Sequence, residues 1–201
     1  MRPPTRFIIA AAALLLSVAY VAPLWHIGLD APQYPEGIGM YIWIDRILGQ
    51  KPNDLNSING LNHYIGMKAI VPDAIPELRL MPRIVGALIG FGLLVAATGR
   101  RSLLYLWTGV FAVVALAGLA DFWYWGYDYG HDLDPTAAIK IPGFSYQPPV
   151  IGTKQLLNFT AHSWPGLGGW AIAIALTIGV VISVLEVRRA QPPPAAMRKA
   201  A

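Results

Sequence analysis

Cysteine is missing from this chain altogether. That one absence excludes a disulfide framework, a thiolate metal site and a cysteine nucleophile. Any metal would have to be held by imidazole, thioether, carboxylate or backbone oxygen. Charge is scarce as well: 13% of the 201 residues are charged against 55% hydrophobic, the balance of an integral membrane protein. The formal charge is +4, but the basic residues form no stripe with interleaved aromatics, so nucleic acid is not an expected partner. They stand beside apolar runs, where such residues orient helices in a lipid bilayer. Catalytic signatures are also lacking. Ser57, Ser145 and Ser163 have no Gly-x-Ser-x-Gly context, and no P-loop, dinucleotide fingerprint or zinc-protease motif occurs. The expectation is a protein that is not an enzyme. All four histidines lie outside the apolar runs, which argues against haem held between facing intramembrane imidazoles. Ionisable groups are nearly absent from the runs, which argues against a pump or transporter.

What is present is a repeated span–loop–span plan. Residues 1–24 comprise a basic tip and an apolar run from Phe7 to Leu24, about 18 residues and long enough to cross a bilayer. A cleaved signal peptide is the competing reading, but the small-residue exit at Ala19–Ala22 would leave Pro23 first after the cut. Residues 25–82 form a mixed, proline-punctuated first loop. A second span is expected over 83–99, with Leu80 and Met81 extending it past Pro82, and Gly86 and Gly90 form a small-xxx-small pair for close helix packing. Residues 100–102 make a short turn, and a third span follows over 103–124. The aromatic cluster around Trp123–Tyr129 reads as an interfacial belt. Residues 125–165 form a second loop, 166–187 a fourth span, and 188–201 a disordered tail. The fold class expected is an all-α membrane protein with four transmembrane helices and two ordered loops outside the cytoplasm. Ten of the eleven acids fall in or at the edge of the two long loops, whereas the tip, the short turn and the tail carry basic charges alone. The positive-inside rule then places both termini in the cytoplasm of a bacterial inner membrane.

The most chemically specific stretch is Asp54–Lys68. Read as a helix, it has Ile58, Leu61, Ile65 and Ala69 on one face, and Asn56, Asn59, His63 and Met67 on roughly the opposite one. Asp54 is the expected N-cap, and Pro72 the expected stop. His63 and Met67, four apart, would set one nitrogen and one sulfur donor on the same turn, a pairing suited to Cu(I). His26, Met40, Met81, His131 and His162 complete the set of soft donors in or beside the loops. The bland alternatives are a packed methionine and a hydrogen-bonded histidine. A harder site from Asp128, His131, Asp132 and Asp134 would suit Mn, Zn or Ca, although Asp134 followed by Pro135 also reads as a helix start. Residues 30–39 are too rich in proline and glycine for a regular helix, and 40–48 suit a short strand or an interfacial segment.

Three motifs carry a resemblance. Asp30–Gly37, Leu61–Met67, and Asp128–Asp134 through Tyr146–Pro149 resemble a family of small bacterial four-span inner-membrane proteins associated with nitrous oxide reductase maturation and copper chaperones. The likeness covers both loops, about half of the chain. It implies an accessory role in copper handling or in assembly of a periplasmic copper enzyme. The implied partners are a periplasmic copper chaperone or metalloenzyme, and His63 and Met67 are the implied functional pair. Met40, His131 and His162 are weaker candidates. The alternative is a structural subunit of a respiratory membrane complex that binds no metal.

Overall fold

The computed structural model describes residues 1–190. Four helices in it are long and apolar enough to cross a membrane: Pro3–Tyr20, Glu77–Thr98, Arg101–His131 and Leu167–Ala190. The first consists of an α-helix, α1 (Pro3–Leu15), whose last turns tighten into a 3-10 segment, Leu16–Tyr20. The others are α3 (Glu77–Thr98), α4 (Arg101–His131) and α5 (Leu167–Ala190), while α2 (Asp54–Ile65) lies in the first loop. Helix α1 packs on α3 and α5, and α4 on α3 and α5.

One end of the bundle is tied by charge. The Met1 amino group donates to the Gly99 carbonyl at 2.7 Å, and Arg6 Nε to the Ala96 carbonyl at 2.7 Å. Both satisfy carbonyls that the end of α3 leaves without helical partners, where positive charge is favoured. Glu186, 1% exposed, accepts from Arg101 at 2.7 Å and from Arg189 at 3.1 Å, joining the start of α4 to the end of α5. The bundle centre is Trp107, fully buried, whose indole N–H donates to the Leu88 carbonyl at 2.9 Å. It fits because α3 and α5 are bare beside it. A Cβ on Gly92 would stand 2.6 Å from the Ala13 Cβ and 3.1 Å from the Trp107 ring, and one on Gly179 3.0 Å from that ring. The close-packing glycine of α3 is therefore Gly92. Gly86 meets only the Tyr20 hydroxyl, and nothing lies within 4 Å of a Cβ on Gly90.

The all-α expectation is wrong at the other end of the bundle. The two loops contribute to one five-stranded antiparallel sheet of order β3-β2-β1-β5-β4. Its strands are β1 (Trp25–Ala31), β2 (Tyr34–Ile42), β3 (Ile47–Gly49), β4 (Gly152–Leu156) and β5 (Phe159–Pro165). The central pair has a simple cause. Strand β1 follows the first span and β5 leads directly into α5. Since those two antiparallel spans already touch, their extensions pair in register, from Trp25↔Pro165 to Asp30↔Thr160. Hairpin partners β2 and β4 then add on either side. Alternation assigns the faces. Ile27, Ile38, Met40 and Ile47 point inward onto Ile58 of α2 and Leu78 of α3. His26, Gly28, Asp30, Gly39, Tyr41, His162 and Trp164 occupy the opposite face.

Several boundaries also move. Helix α4 runs 31 residues to His131, about 46 Å against a hydrocarbon core of about 30 Å. The aromatic cluster of the expected belt is thus helical throughout, and its end projects into the head. Helix α5 continues to Ala190, beyond the expected limit at 187; the rest of the expected disordered tail, 191–201, lies outside the described residues. Pro82 sits inside α3, at its sixth residue, where its missing N–H leaves the Leu78 carbonyl without its helical donor.

Candidate functional site

Helix α2 buries most of the apolar stripe expected of it: Ile58 and, in part, Leu61 pack beneath the sheet and Ile65 is buried, but Ala69, the fourth expected member, lies past the helix end and is exposed. Its ends differ from expectation. Asp54 is the first helical residue and caps nothing; its carboxylate, 5% exposed, accepts from the amides of Gly39 at 3.0 Å and Lys51 at 3.1 Å. It fastens the start of α2 to β2. The helix stops at Ile65, well before Pro72, because Gly66 takes a left-handed turn with φ 81°. The Met67 amide returns to the Asn62 carbonyl at 2.8 Å and the Gly66 amide to that of His63 at 3.4 Å, the paired bonds of a glycine-terminated helix. Gly66 is also wedged against residues 134–137: its carbonyl accepts from the Asp134 amide at 2.8 Å, and a Cβ there would stand 3.0 Å from Ala137 and Asp134 atoms.

This places the expected ligands as follows. His63 is exposed on the last turn of α2, and Met67 is half-buried beyond the helix end, so the two do not share a helical turn. Met40 is 8% exposed, inside the core beneath the sheet. His131 ends α4 with Nδ1 2.9 Å from the Tyr127 carbonyl and its ring stacked on Tyr127 at 4.0 Å. His162 is on the outer sheet face. The harder acidic set does not converge either. Lys68 Nζ lies 2.8 Å from both Asp128 and Asp132, and those hydrogen bonds raise its pKa well above the ordinary lysine value. Asp134 closes a turn by accepting from the Thr136 hydroxyl at 2.6 Å and amide at 2.7 Å. Those bonds hold its carboxyl below the usual range, with His63 a smaller contributor. Asp134 thus starts a turn and no helix. Among the described residues no group of three or more His, Asp or Glu gathers as a metal site.

The feature that loop-by-loop reading misses is the outer face of the sheet. A cleft of about 390 Å³ lies there, lined by His26, Gly28, Asp30, Glu36, Gln50, His162 and Trp164 among others. Its floor is bare backbone where Gly28 and Gly39 pair across β1 and β2. A Cβ on Gly39 would stand 2.5 Å from Gln50 Oε1 and 3.1 Å from His26 Nε2, the two atoms that bond to each other at 3.0 Å, so a side chain there would displace that contact. His26 also lies against Tyr41, ring centres 4.8 Å apart. His162 is held at both nitrogens, with Thr153 Oγ1 2.9 Å from Nδ1 and Asp30 Oδ2 2.9 Å from Nε2. The consistent pattern has the Thr153 hydroxyl donating to Nδ1 and Nε2–H donating to the Asp30 carboxylate. The signal for this site was the alternation of Trp25, Ile27 and Leu29 with His26, Gly28 and Asp30, repeated at 160–164. The chain matches no family model, and no curated protein matches it.

Proposed function

We propose that this protein is a membrane accessory protein of the bacterial inner membrane. Its four spans hold the sheet and α2 as a rigid head on the extracytoplasmic side, and the outer face of that head receives a partner. Both termini are cytoplasmic in this reading. The support for orientation is that Arg2, Arg6, Arg100, Arg101, Arg188 and Arg189 gather at the end of the bundle opposite the head. The observation that carries the docking role is the asymmetry of the sheet. One face is sealed on α2, whereas the other presents polar side chains and a cleft on strands continuous with two spans. A face built on such a base is held in place without help from its ligand.

A copper-handling form of the same role is the second reading. What favours it is that His63 offers an exposed imidazole and Met67, four residues on, a half-buried thioether, in a chain without thiolates. A periplasmic copper chaperone or copper enzyme is the partner in that case. Photo-crosslinking in native membranes tests the docking role. A crosslinker at Trp164 or Tyr41 should give a defined adduct, and one at lipid-facing Leu106 should not. Adducts equally frequent at all three positions, or at Leu106 alone, would overturn it in favour of a subunit buried in a larger membrane complex. For the copper form, His63→Ala and Met67→Leu should leave membrane abundance near normal and lower Cu(I) bound by the purified protein. Full Cu(I) binding by both variants would remove that reading.

A further inference from the structure

We infer that the end of the bundle opposite the head holds one anionic phospholipid, with its phosphate on Arg100 and Ser102 and an acyl chain in a groove along α4. The site lies away from the sheet and does not depend on the docking role. The groove, about 410 Å³, is lined by Tyr105, Leu106, Gly109, Val110, Val113 and Val114, so its walls are apolar but for the Tyr105 hydroxyl. Gly109 makes the notch: nothing lies within 4 Å of a Cβ there, while Leu106, Val110 and Val113 stand exposed around it. The packed face of α4 is the one that carries Leu104, Trp107, Thr108 and Phe111, so the groove opens away from the bundle.

Length and charge together select the occupant. From Tyr105 to Val114 the helix rises about 14 Å, close to one leaflet of a hydrocarbon core of about 30 Å. The groove begins one turn from the basic end of the bundle, where Glu186 is the sole acid and is already paired with Arg101 and Arg189. The Met1 amino group and Arg6 are spent on carbonyls of α3. Arg100 differs from these. It is exposed, and its side chain neither caps α4 nor joins an ion pair among the described residues. Its chain neighbours are Gly99, which holds the Met1 amino group, and Arg101, so its open guanidinium stands amid excess positive charge. Ser102, also exposed, precedes Gly109 by two turns and so lies on the face of the groove. A guanidinium and a hydroxyl at the foot of an apolar groove suit a phosphate diester that carries a hydrocarbon chain. Arginine meets phosphate through paired hydrogen bonds, and basic residues just past the end of a span attract anionic headgroups.

The test is native mass spectrometry of the delipidated full-length protein in detergent, titrated with dioleoylphosphatidylglycerol, dioleoylphosphatidylcholine or glycerol phosphate. The anionic lipid should bind saturably, one molecule per chain, about fivefold tighter than the choline lipid. Glycerol phosphate, which has no acyl chain, should not bind. Gly109→Leu fills the notch, and its Cβ meets no neighbour; leucine is also the better helix former, so the fold stays intact while the tight adduct is lost. Arg100→Gln should bring the two lipids to near parity and leave phosphatidylcholine binding unchanged. Equal affinity of the native chain for the two lipids, undiminished phosphatidylglycerol binding in Gly109→Leu, an unchanged preference in Arg100→Gln, or tight binding of glycerol phosphate alone would each overturn the inference. So would a dimer that Gly109→Leu dissociates while lipid binding persists, since the groove would then be a contact between two copies of the chain.

Discussion

Replacing Asp54 tests how the head is fastened together. Its buried carboxylate accepts from two backbone amides, of which Gly39 is buried within β2 and Lys51 is exposed. In Asp54→Ala the Gly39 N–H is left in the interior without a partner, a loss of about 2–3 kcal/mol for a charge-assisted bond. The Lys51 amide can turn to water, so its share is about 0.5–1 kcal/mol. The sum, about 3 kcal/mol, should appear as local opening of the β2–β3–α2 unit and leave the spans alone. Amide exchange in detergent is the assay. At about tenfold per 1.4 kcal/mol, Gly39 and the α2 amides should exchange about a hundredfold faster, with α4 and α5 unchanged. Asp54→Asn keeps an acceptor without the charge and should cost about half as much. A residue that merely capped α2 would behave differently: Asn56 and Ser57 would speed up alone, by the smaller factor that a lost cap gives. Unchanged exchange at Gly39 in Asp54→Ala would refute the reasoning.

Single cysteines placed at Ser57, Ser102 and Ser145 should react with an impermeant thiol reagent at 57 and 145 only in outer-permeabilised cells; labelling at 102 without lysis would invert the topology. Removing both Arg101 and Arg189 should leave Glu186 as an uncompensated buried charge, at a cost of about 3–5 kcal/mol. Glu186→Gln should be far milder, because the two half-exposed arginines can reach water, and melting in detergent separates the two. The Asp134 turn should be pH-sensitive in one direction. Its carboxyl is lowered in the folded chain, so its contribution is complete above the ordinary carboxylate pKa of about 3.9 and is lost as pH falls through the folded value. The Thr136 amide signal should therefore titrate with a midpoint below that of a free aspartate, and a midpoint at or above it would contradict the turn geometry.

Much of the membrane part was legible because spans are decided locally. A run such as Gly166–Val187 must satisfy its own backbone in lipid and can do so only as a helix, so composition and length were enough. The small-residue packing was only half legible. Gly86 and Gly90 had the right spacing, yet which glycine faces a neighbour depends on helix rotation, and Trp107 chose Gly92 and Gly179. Helix α2 was found from its stripe, but its stop was placed at Pro72 because proline is a visible breaker, whereas Gly66 ends it through φ 81° and the close approach of residues 134–137.

By itself, then, the sequence determined four helices long and apolar enough to cross a membrane, the end at which basic charge collects, and one amphipathic helix in the first loop, since each depends on residues within a turn or two of one another. Tertiary structure alone decided the sheet and its cleft. Alternation along 25–30 and 160–164 was present in the sequence, but a strand needs a partner, and β1 finds β5 more than a hundred residues away only because the spans behind them touch. The same sheet faces His162 toward Asp30 and buries Met40, while the Gly66 turn takes Met67 off the helical turn of His63, because a side chain's surroundings follow from which face of which element it occupies.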